Sequence, residues 1–190
     1  LSAPMDDYID IANHHPHAEH GPLKVIGDAA RACGGGCKRT KIGKRSWMNV
    51  FSFHTMKLMT TLGEGGMITT NNKEIYDSLL KLRTHGIHKN VNFFINKEMA
   101  FDNNKNANVW YYEMTELGLN YRITDIQAAL GESQLRKIDQ FIDMRRKIAK
   151  IYNMGFAKND LITTPTESSN VMHAYHLYTI FQDLIDFQIQ

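Results

Sequence analysis

Short apolar segments alternate with helical ones along this chain, and their order limits where a functional residue can lie. The segment LKVIG, ending at Asp28, and the segments WMNVFSF and GMITT predict three strands. The pattern of MDDYIDIANHH predicts a helix that breaks at Pro16, and IYDSLLKLRTH predicts another that stops at Gly86. Lys57 therefore lies in a loop between two predicted strands.

The second half of the chain predicts one long helix and a change of domain. Apolar residues recur at helical spacing from Thr124 to Tyr152, with a bend expected near Gly131. The preceding stretch from Val91 to Tyr112 shows no period, which predicts an irregular excursion. After TTPTESSN the alternating segment YHLYTIF predicts a strand. We expect residues 1–152 to form one domain with its connecting helix, and residues 153–190 to begin a second.

Composition excludes several classes of function. The net charge of +2 and the scattered basic residues give no reason to expect nucleic-acid binding. No run approaches the eighteen or so apolar residues of a membrane span, and the segment LSAPMDDY has neither the basic flank nor the apolar core of a signal peptide, so a cytoplasmic protein without a membrane partner is expected. The chain begins at Leu1 and stops within the apolar pattern of YTIFQDLIDFQIQ, which predicts a fragment of a longer protein.

The sulfur and imidazole groups do not predict a metal site. Cys33 and Cys37 lack a second pair of ligands and are expected to be free thiols. Pro16 breaks the helical spacing of the histidine-rich segment, which favours a surface loop over a metal site. That segment contains His14, His15, His17 and His20.

Three residue types in this chain fit pyridoxal phosphate (PLP) chemistry. PLP is an electron sink, and it needs a carboxylate at its ring nitrogen and a lysine at its aldehyde carbon. Asp28 at a strand end, Ser52 near a lysine, and Lys57 before a glycine-rich turn are candidates for these contacts. Taken alone, Asp28 is also compatible with a helix cap, and Ser52 with a strand hydroxyl bonded to backbone. His54 is expected to be a packed structural residue.

Four ordered blocks identify a family resemblance. They are VIGDAARACGG, VFSFHTMKLMTTLGEGGMITTNN, LRTHGI and WYYEMTELGLNYRITDIQAALGESQLRKID. Together they resemble the DegT/DnrJ/EryC1/StrS family of sugar-nucleotide aminotransferases, and within it the bacterial UDP-4-amino-sugar transaminase type. The resemblance covers residues 1 to 180.

The resemblance implies a role for four residues. Lys57 would hold PLP as a Schiff base, Ser52 would contact the cofactor phosphate, and Asp28 would pair with the pyridine nitrogen. Asn120 of the NYR block would reach the phosphate bound by the neighbouring subunit, although an Asn before a helix is also a routine turn residue.

Two positions depart from the family pattern. Members usually carry Glu immediately before the aspartate and Gln or His three residues after it, beside the cofactor ring. This chain has Gly27 and Arg31 at those positions. Arg31 remains a candidate cofactor-binding residue, with a larger and charged side chain.

The resemblance implies an α/β fold: part of the large domain of a fold-type I PLP enzyme, with a mixed, mostly parallel sheet flanked by helices, and the start of a small C-terminal domain. The implied activity transfers an amino group from L-glutamate to a nucleotide-linked 4-keto-6-deoxy sugar, with a UDP-sugar favoured, for bacterial surface glycans. A cytoplasmic homodimer with shared active sites is expected.

Two alternatives stay open. The dehydratase branch of the family removes a sugar hydroxyl, but its members carry histidine where Lys57 stands. A non-catalytic PLP-binding regulatory protein is consistent with the Arg31 departure.

Overall fold

The structure is a computed structural model that describes residues 3–182, so Leu1 and the end of YTIFQDLIDFQIQ lie outside the described part. The described chain forms two compact units. Unit 1 contains residues 3–71 and 125–182, and unit 2 contains residues 72–124. The expected domain change at residue 153 remains a prediction, because its last residues, 183–190, are not described.

Unit 1 begins with a helix and builds a three-stranded sheet. The elements in chain order are α1 (Met5–His14), β1 (Ile26–Asp28), β2 (Gly36–Cys37), β3 (Thr40–Lys41), β4 (Met48–Ser52) and β5 (Gly66–Thr70). Strand β4 is central, parallel to β1 and antiparallel to β5. These bounds confirm the first predicted helix and the three predicted strands. The sheet is mixed as expected, but among the described strands only β1 and β4 pair in parallel.

Unit 2 confirms both a predicted helix and the irregular stretch. Its elements are α2 (Lys73–Leu82), β6 (Ile87–His88), a 3₁₀ turn (Val91–Phe93), α3 (Lys97–Ala100) and β7 (Glu113–Met114). The helix ends at Leu82, before the predicted stop, and Gly86 lies beyond it with φ of +68°, a left-handed conformation that favours glycine. Phe94, Ala100 and Tyr111 form a small core. The Glu113 carboxylate accepts the backbone N–H groups of Ile95 and Asn96, which fixes the irregular stretch.

The chain returns to unit 1 through two helices rather than the one long helix that was predicted. They are α4 (Asp125–Leu135) and α5 (Ile138–Phe156), followed by β8 (Ile162–Thr163), β9 (Val171–Met172) and β10 (Phe181–Gln182). The break falls at Arg136 and Lys137, not near Gly131. Gly131 instead allows close packing, since a Cβ there would lie 2.9 Å from Cγ2 of buried Thr61.

The predicted strand YHLYTIF was mostly wrong. Only Phe181 of this segment is in a strand, and Tyr175 has a left-handed φ of +46°. Burial does not alternate along it, because Ala174 and Tyr175 are both buried and the residues from Thr179 to Phe181 are exposed. The hairpin of β2 and β3, which pairs with β9, was not predicted.

One hydrophobic core holds unit 1 together. It contains Ala29, Phe51, Phe53, Leu58, Met59, Ile138, Ile142 and Ala174. These residues come from β1's end, β4, the following loop, α5 and the segment after β9, so burial of their apolar surface fixes all five segments. Among the described helices, none is long and apolar enough to cross a membrane.

Candidate active site

Each predicted site residue of unit 1 lies next to a core residue in the chain. Asp28 precedes buried Ala29, Ser52 lies between buried Phe51 and Phe53, and Lys57 precedes Leu58 and Met59. Since the neighbours are packed in the core, the backbone that carries each polar side chain has little freedom. The sequence therefore places these three polar groups on fixed positions.

The register places Asp28 and Ser52 on one face of the sheet. Asp28 pairs with Val50, and Ser52 follows Val50 by two residues, so all three side chains point to the same side. Asp28 is exposed, and its Oδ1 accepts the Ala30 N–H at 3.0 Å. Ser52 is half-buried, and its Oγ accepts the His54 N–H at 3.4 Å. This open face can therefore present a carboxylate and a hydroxyl to a ligand.

Lys57 follows a tight turn organised by His54. The Lys57 N–H donates to the His54 carbonyl at 2.9 Å, and Nδ1 of His54 accepts the Met56 N–H at 3.2 Å. His54 Nε2 also lies 3.8 Å from Oε1 of Glu64. These contacts agree with the structural role expected of His54. Within residues 3–182, the half-buried Lys57 ammonium makes no hydrogen bond or ion pair, which leaves it available for chemistry.

The glycine-rich turn after Lys57 closes the loop. Leu62 and Gly63 both adopt left-handed conformations, with φ of +64° and +97°. The Phe53 N–H donates to the Gly65 carbonyl at 2.8 Å, and the Thr61 N–H donates to the Phe53 carbonyl at 3.1 Å. The loop that carries Lys57 is therefore bonded to the end of β4 at both of its ends.

A cavity of about 820 Å³ opens beside Asp28. Its walls include Asp28, Arg31, Asn49 and His176. Ser52 and Lys57 do not line this cavity. Asp28, at the end of β1, thus stands both on the open face of the sheet and at the cavity wall.

The structure explains why a side chain is missing at Gly27. Gly27 pairs with Asn49, so a Cβ at residue 27 would point toward the Asn49 side chain. That Cβ would lie 2.9 Å from Ser46 Oγ and closer still to Asn49 Oδ1. Ser46 donates a 2.6 Å hydrogen bond to Asn49 Oδ1, and both residues are buried. Asn49 therefore fills the space that a residue larger than glycine would need.

His176 is a residue that sequence reasoning missed. Arg145 of α5 donates from Nη1 to the carbonyls of Tyr175 and His176, at 3.1 and 3.2 Å. Partial burial first, and then the positive charges of Lys57, Arg145 and Arg31, lower the pKa of His176. No local signal marks this residue, because its neighbours lie far away along the chain.

A partly buried ion pair fixes the segment before His176. Arg146 Nη1 lies 2.6 Å from Glu167 Oε1, and that carboxylate also accepts the His173 N–H at 2.8 Å. Burial alone would raise the pKa of Glu167, but the Arg146 and His173 hydrogen bonds outweigh it and the pKa is lowered. Arg146 also lies over the Tyr175 ring. The polar contacts therefore hold the turn from residue 173 to 176 in one conformation.

Asn120 belongs to unit 2. Its segment is bonded to the end of α2, since the Leu119 N–H donates to the Leu82 carbonyl at 2.7 Å and the Tyr121 N–H to the Arg83 carbonyl at 2.9 Å. The Asn120 side chain is exposed. Its predicted contact with a neighbouring subunit remains a prediction.

Comparison with known proteins identifies the family of this chain. The profile of the DegT/DnrJ/EryC1/StrS aminotransferase family matches residues 2–186. The chain belongs to this family. The resemblance seen in the four sequence blocks is thereby confirmed.

Named relatives agree with this membership. The UDP-4-amino-4,6-dideoxy-N-acetyl-beta-L-altrosamine transaminase of Campylobacter jejuni is 35% identical over 83% of this chain and 37% of its own length. PseC of Helicobacter pylori, an aminotransferase involved in the biosynthesis of pseudoaminic acid, superimposes with a TM-score of 0.80 and 26% identity over 96% of this chain and 43% of PseC. A candidate sugar aminotransferase of Streptococcus pneumoniae in its PLP-form gives a TM-score of 0.68 and 26% identity over 84% of this chain and 37% of that one.

These similarities confirm the α/β fold of the family's large domain and show that the chain spans about two-fifths of the length of its relatives. The catalytic and cofactor roles of individual residues remain proposals.

Proposed function

We propose that this protein transfers an amino group from L-glutamate to the keto carbon of a nucleotide-linked 4-keto-6-deoxy sugar, with a UDP-sugar favoured. The observation that carries the proposal is the position of Lys57: an amine without a partner among the described residues, on a loop held at both ends by the core. Family membership supports the reaction type. The UDP-sugar is favoured because a relative that acts on a UDP-4-amino sugar is 35% identical.

The residues present fit PLP by their chemistry. Lys57 supplies a primary amine for the aldehyde carbon, Asp28 supplies a carboxylate for a protonated ring nitrogen, and Ser52 supplies a hydroxyl for phosphate. When bound, PLP supplies an electron sink that stabilises negative charge on the substrate carbon. The Ala30 N–H holds Oδ1 of Asp28, and Oδ2 accepts no hydrogen bond among the described residues. Asp28 thus retains an oxygen for a cationic partner.

Lys57 has two roles in this proposal. Its amine would hold the cofactor at the aldehyde carbon, and once the amine of the donor had taken that place, the same nitrogen would move a proton to and from the reacting carbon. Asp28 would hold a proton on the ring nitrogen, because a carboxylate favours the charged form of a neighbouring cation. Arg31 lies on the cavity wall beside Asp28, where a ligand in that cavity would meet it.

We further propose a homodimer in which Asn120 completes the neighbouring site. Unit 2 exposes large aromatic side chains near this residue in the chain, with Trp110, Tyr112 and Tyr121 at 63%, 54% and 74% exposure. Exposed apolar surface of this kind is typical of an interface. A site shared across a two-fold axis would need both copies.

Two other functions are less well supported. A sugar dehydratase of the same family would carry histidine in place of Lys57, and this chain has lysine. A non-catalytic PLP-binding protein would hold the cofactor on Lys57 without transferring an amino group. Addition of L-glutamate separates it from an enzyme, because only an enzyme converts the bound cofactor to its amine form.

Borohydride reduction tests the central assignment. Reducing the cofactor-loaded protein freezes the imine on the lysine that formed it, and peptide mass mapping then locates the label. We expect the label on Lys57 and the loss of both the yellow absorbance and the activity in Lys57→Ala.

Lys41→Ala serves as the matched control. Lys41 also lies in unit 1, but its ammonium is paired with Asp139 at 2.7 Å. This variant should keep the absorbance and the label. A label on Lys41 or on another lysine would refute the site assignment, and no label at saturating PLP would refute the aminotransferase function.

A further inference from the structure

Three cationic side chains from separate segments act electrostatically on His176. Arg31 follows β1, Lys57 lies in the loop after β4, and Arg145 lies in α5. Partial burial first, and then the charges of Lys57, Arg145 and Arg31, lower the pKa of the His176 ring. Both effects favour the uncharged imidazole. The cluster carries a net positive charge that no carboxylate in direct contact offsets.

The geometry leaves two groups of this cluster without partners. Nδ1 of His176 is buried and has no hydrogen-bond partner among the described residues. Arg31 is exposed and makes no hydrogen bond or ion pair within residues 3–182. By contrast, Arg145 is held by the carbonyls of Tyr175 and His176. Arg31 and His176 both line the cavity that contains Asp28.

Other titratable groups near His176 do not neutralise the cluster. On the cavity side Asp28 shares the wall, and Asp6 is paired with Lys38 and Arg45. On the other side Tyr152, Tyr175 and Tyr178 line a small cavity with His176 and Arg145. The free Arg31 guanidinium is thus the cation best able to meet a ligand.

We propose that Arg31 and His176 form an oxyanion-binding subsite of the cavity beside Asp28, whose wall they share. A guanidinium binds carboxylate or phosphate through paired N–H donors. The negative charge of the ligand offsets the three cations, so the imidazole takes one proton from solvent and can donate to the ligand. The subsite rests on the proposed function for its natural ligand, which is a carboxylate of the amino donor or a phosphate of the sugar nucleotide.

This subsite gives a reason for the Arg31 departure. Family members usually carry Gln or His at this position, and neither adds a permanent charge. In this chain Arg31 adds a third cation near a histidine that is already partly buried. The departure therefore changes the charge of the cavity and not only its shape.

Histidine NMR titration tests the subsite in the full-length protein without cofactor. The chain has nine histidines, and His176→Asn assigns the His176 signal by its loss. In the wild-type protein the ring should titrate below about pH 6.5. Inorganic phosphate and succinate are the two probes, and a rise of the His176 pKa with either one identifies the group that the subsite accepts. Arg31→Gln should raise the starting pKa and weaken anion binding by about tenfold or more.

Arg136→Gln is the matched control. Arg136 is an exposed arginine of unit 1 paired with Glu132 at 2.5 Å, and it does not line the cavity. This variant should leave the His176 titration and its anion response unchanged. An anion that leaves the His176 pKa unaltered, or a response that survives Arg31→Gln, would overturn the subsite. Because no cofactor is present, such a result would not affect the borohydride test of Lys57.

Discussion

Replacing Gly27 with Ala is expected to destabilise unit 1 through one defined collision. The added Cβ would lie 2.9 Å from Ser46 Oγ and 3.3 Å from Asn49 Cγ. Asn49 is only 3% exposed and Ser46 6%, so neither side chain can move into solvent. Overpacking of this kind costs about 1–3 kcal/mol. Loss of the Ser46 to Asn49 hydrogen bond adds about 1 kcal/mol.

The total of about 2–4 kcal/mol is measurable by urea unfolding. With a slope of about 2 kcal/mol per molar, the midpoint should fall by about 1–2 M. Introducing Asn49→Ala into both backgrounds completes a double-mutant cycle. The shortened side chain makes room for the Cβ. The loss of unfolding free energy caused by Gly27→Ala should therefore be smaller by at least about 1 kcal/mol when Asn49 is Ala.

Gly155→Ala provides the control for a glycine-to-alanine change. Gly155 lies in α5, and a Cβ there would meet nothing within 4 Å. This change should be neutral or should stabilise by up to about 1 kcal/mol, because alanine favours helix. Gly27→Ala could instead lower the free energy of unfolding equally with and without the Asn49 side chain. In that case a collision with Asn49 would not cause the destabilisation, and the explanation of Gly27 as a departure from the family pattern would be wrong.

Three further predictions concern charge and assembly. Asp28→Asn should keep the cofactor bound but slow amino transfer on the order of 10²–10³-fold in single-turnover measurements, because an amide cannot stabilise the ring cation. Sedimentation of the active full-length protein should show a dimer, and a fully active monomer would refute the role of Asn120. Burial lowers the pKa of His173, so its contribution to stability is complete above about pH 6.5 and is lost as the pH falls. Urea unfolding at pH 7.5 and 5.5 should show this loss, and His173→Asn should reduce it.

Local patterns predicted those parts of the fold that local contacts determine. The strands β4 and β5 and the loop with Lys57 were predicted because each strand is a short β-branched or aromatic run bounded by turn residues. The helices α1 and α2 were predicted because their apolar period is continuous and ends at Pro16 and Gly86. These elements would be recognised in any context.

Elements held by distant contacts could not be predicted in this way. The hairpin of β2 and β3 consists of two-residue strands, and β2 pairs with Val171 and Met172, more than a hundred residues later. The break between α4 and α5 interrupts an apolar period that continues on both sides of Arg136. The predicted strand after residue 174 failed because the segment packs Ala174 against the core and its backbone is bonded to Arg145 of a distant helix.

The same distinction applies to the candidate site. Asp28, Ser52 and Lys57 were found from motifs, and each of them is carried by a neighbour in the core. His176 could not be found, since its electrostatic partners Arg31, Lys57 and Arg145 lie 31 to 145 residues away in sequence.

The two departures from the family pattern have separate partners in the structure. Gly27 faces Asn49 inside the sheet, and Arg31 faces the cavity wall that it shares with His176. A single substitution toward the family residue would therefore leave a partner adapted to the original side chain. Glu at position 27 would collide with Asn49, and Gln at position 31 would leave His176 with fewer positive neighbours. Each departing residue should therefore be changed together with its partner in the structure. The two pairs are Gly27 with Asn49 and Arg31 with His176.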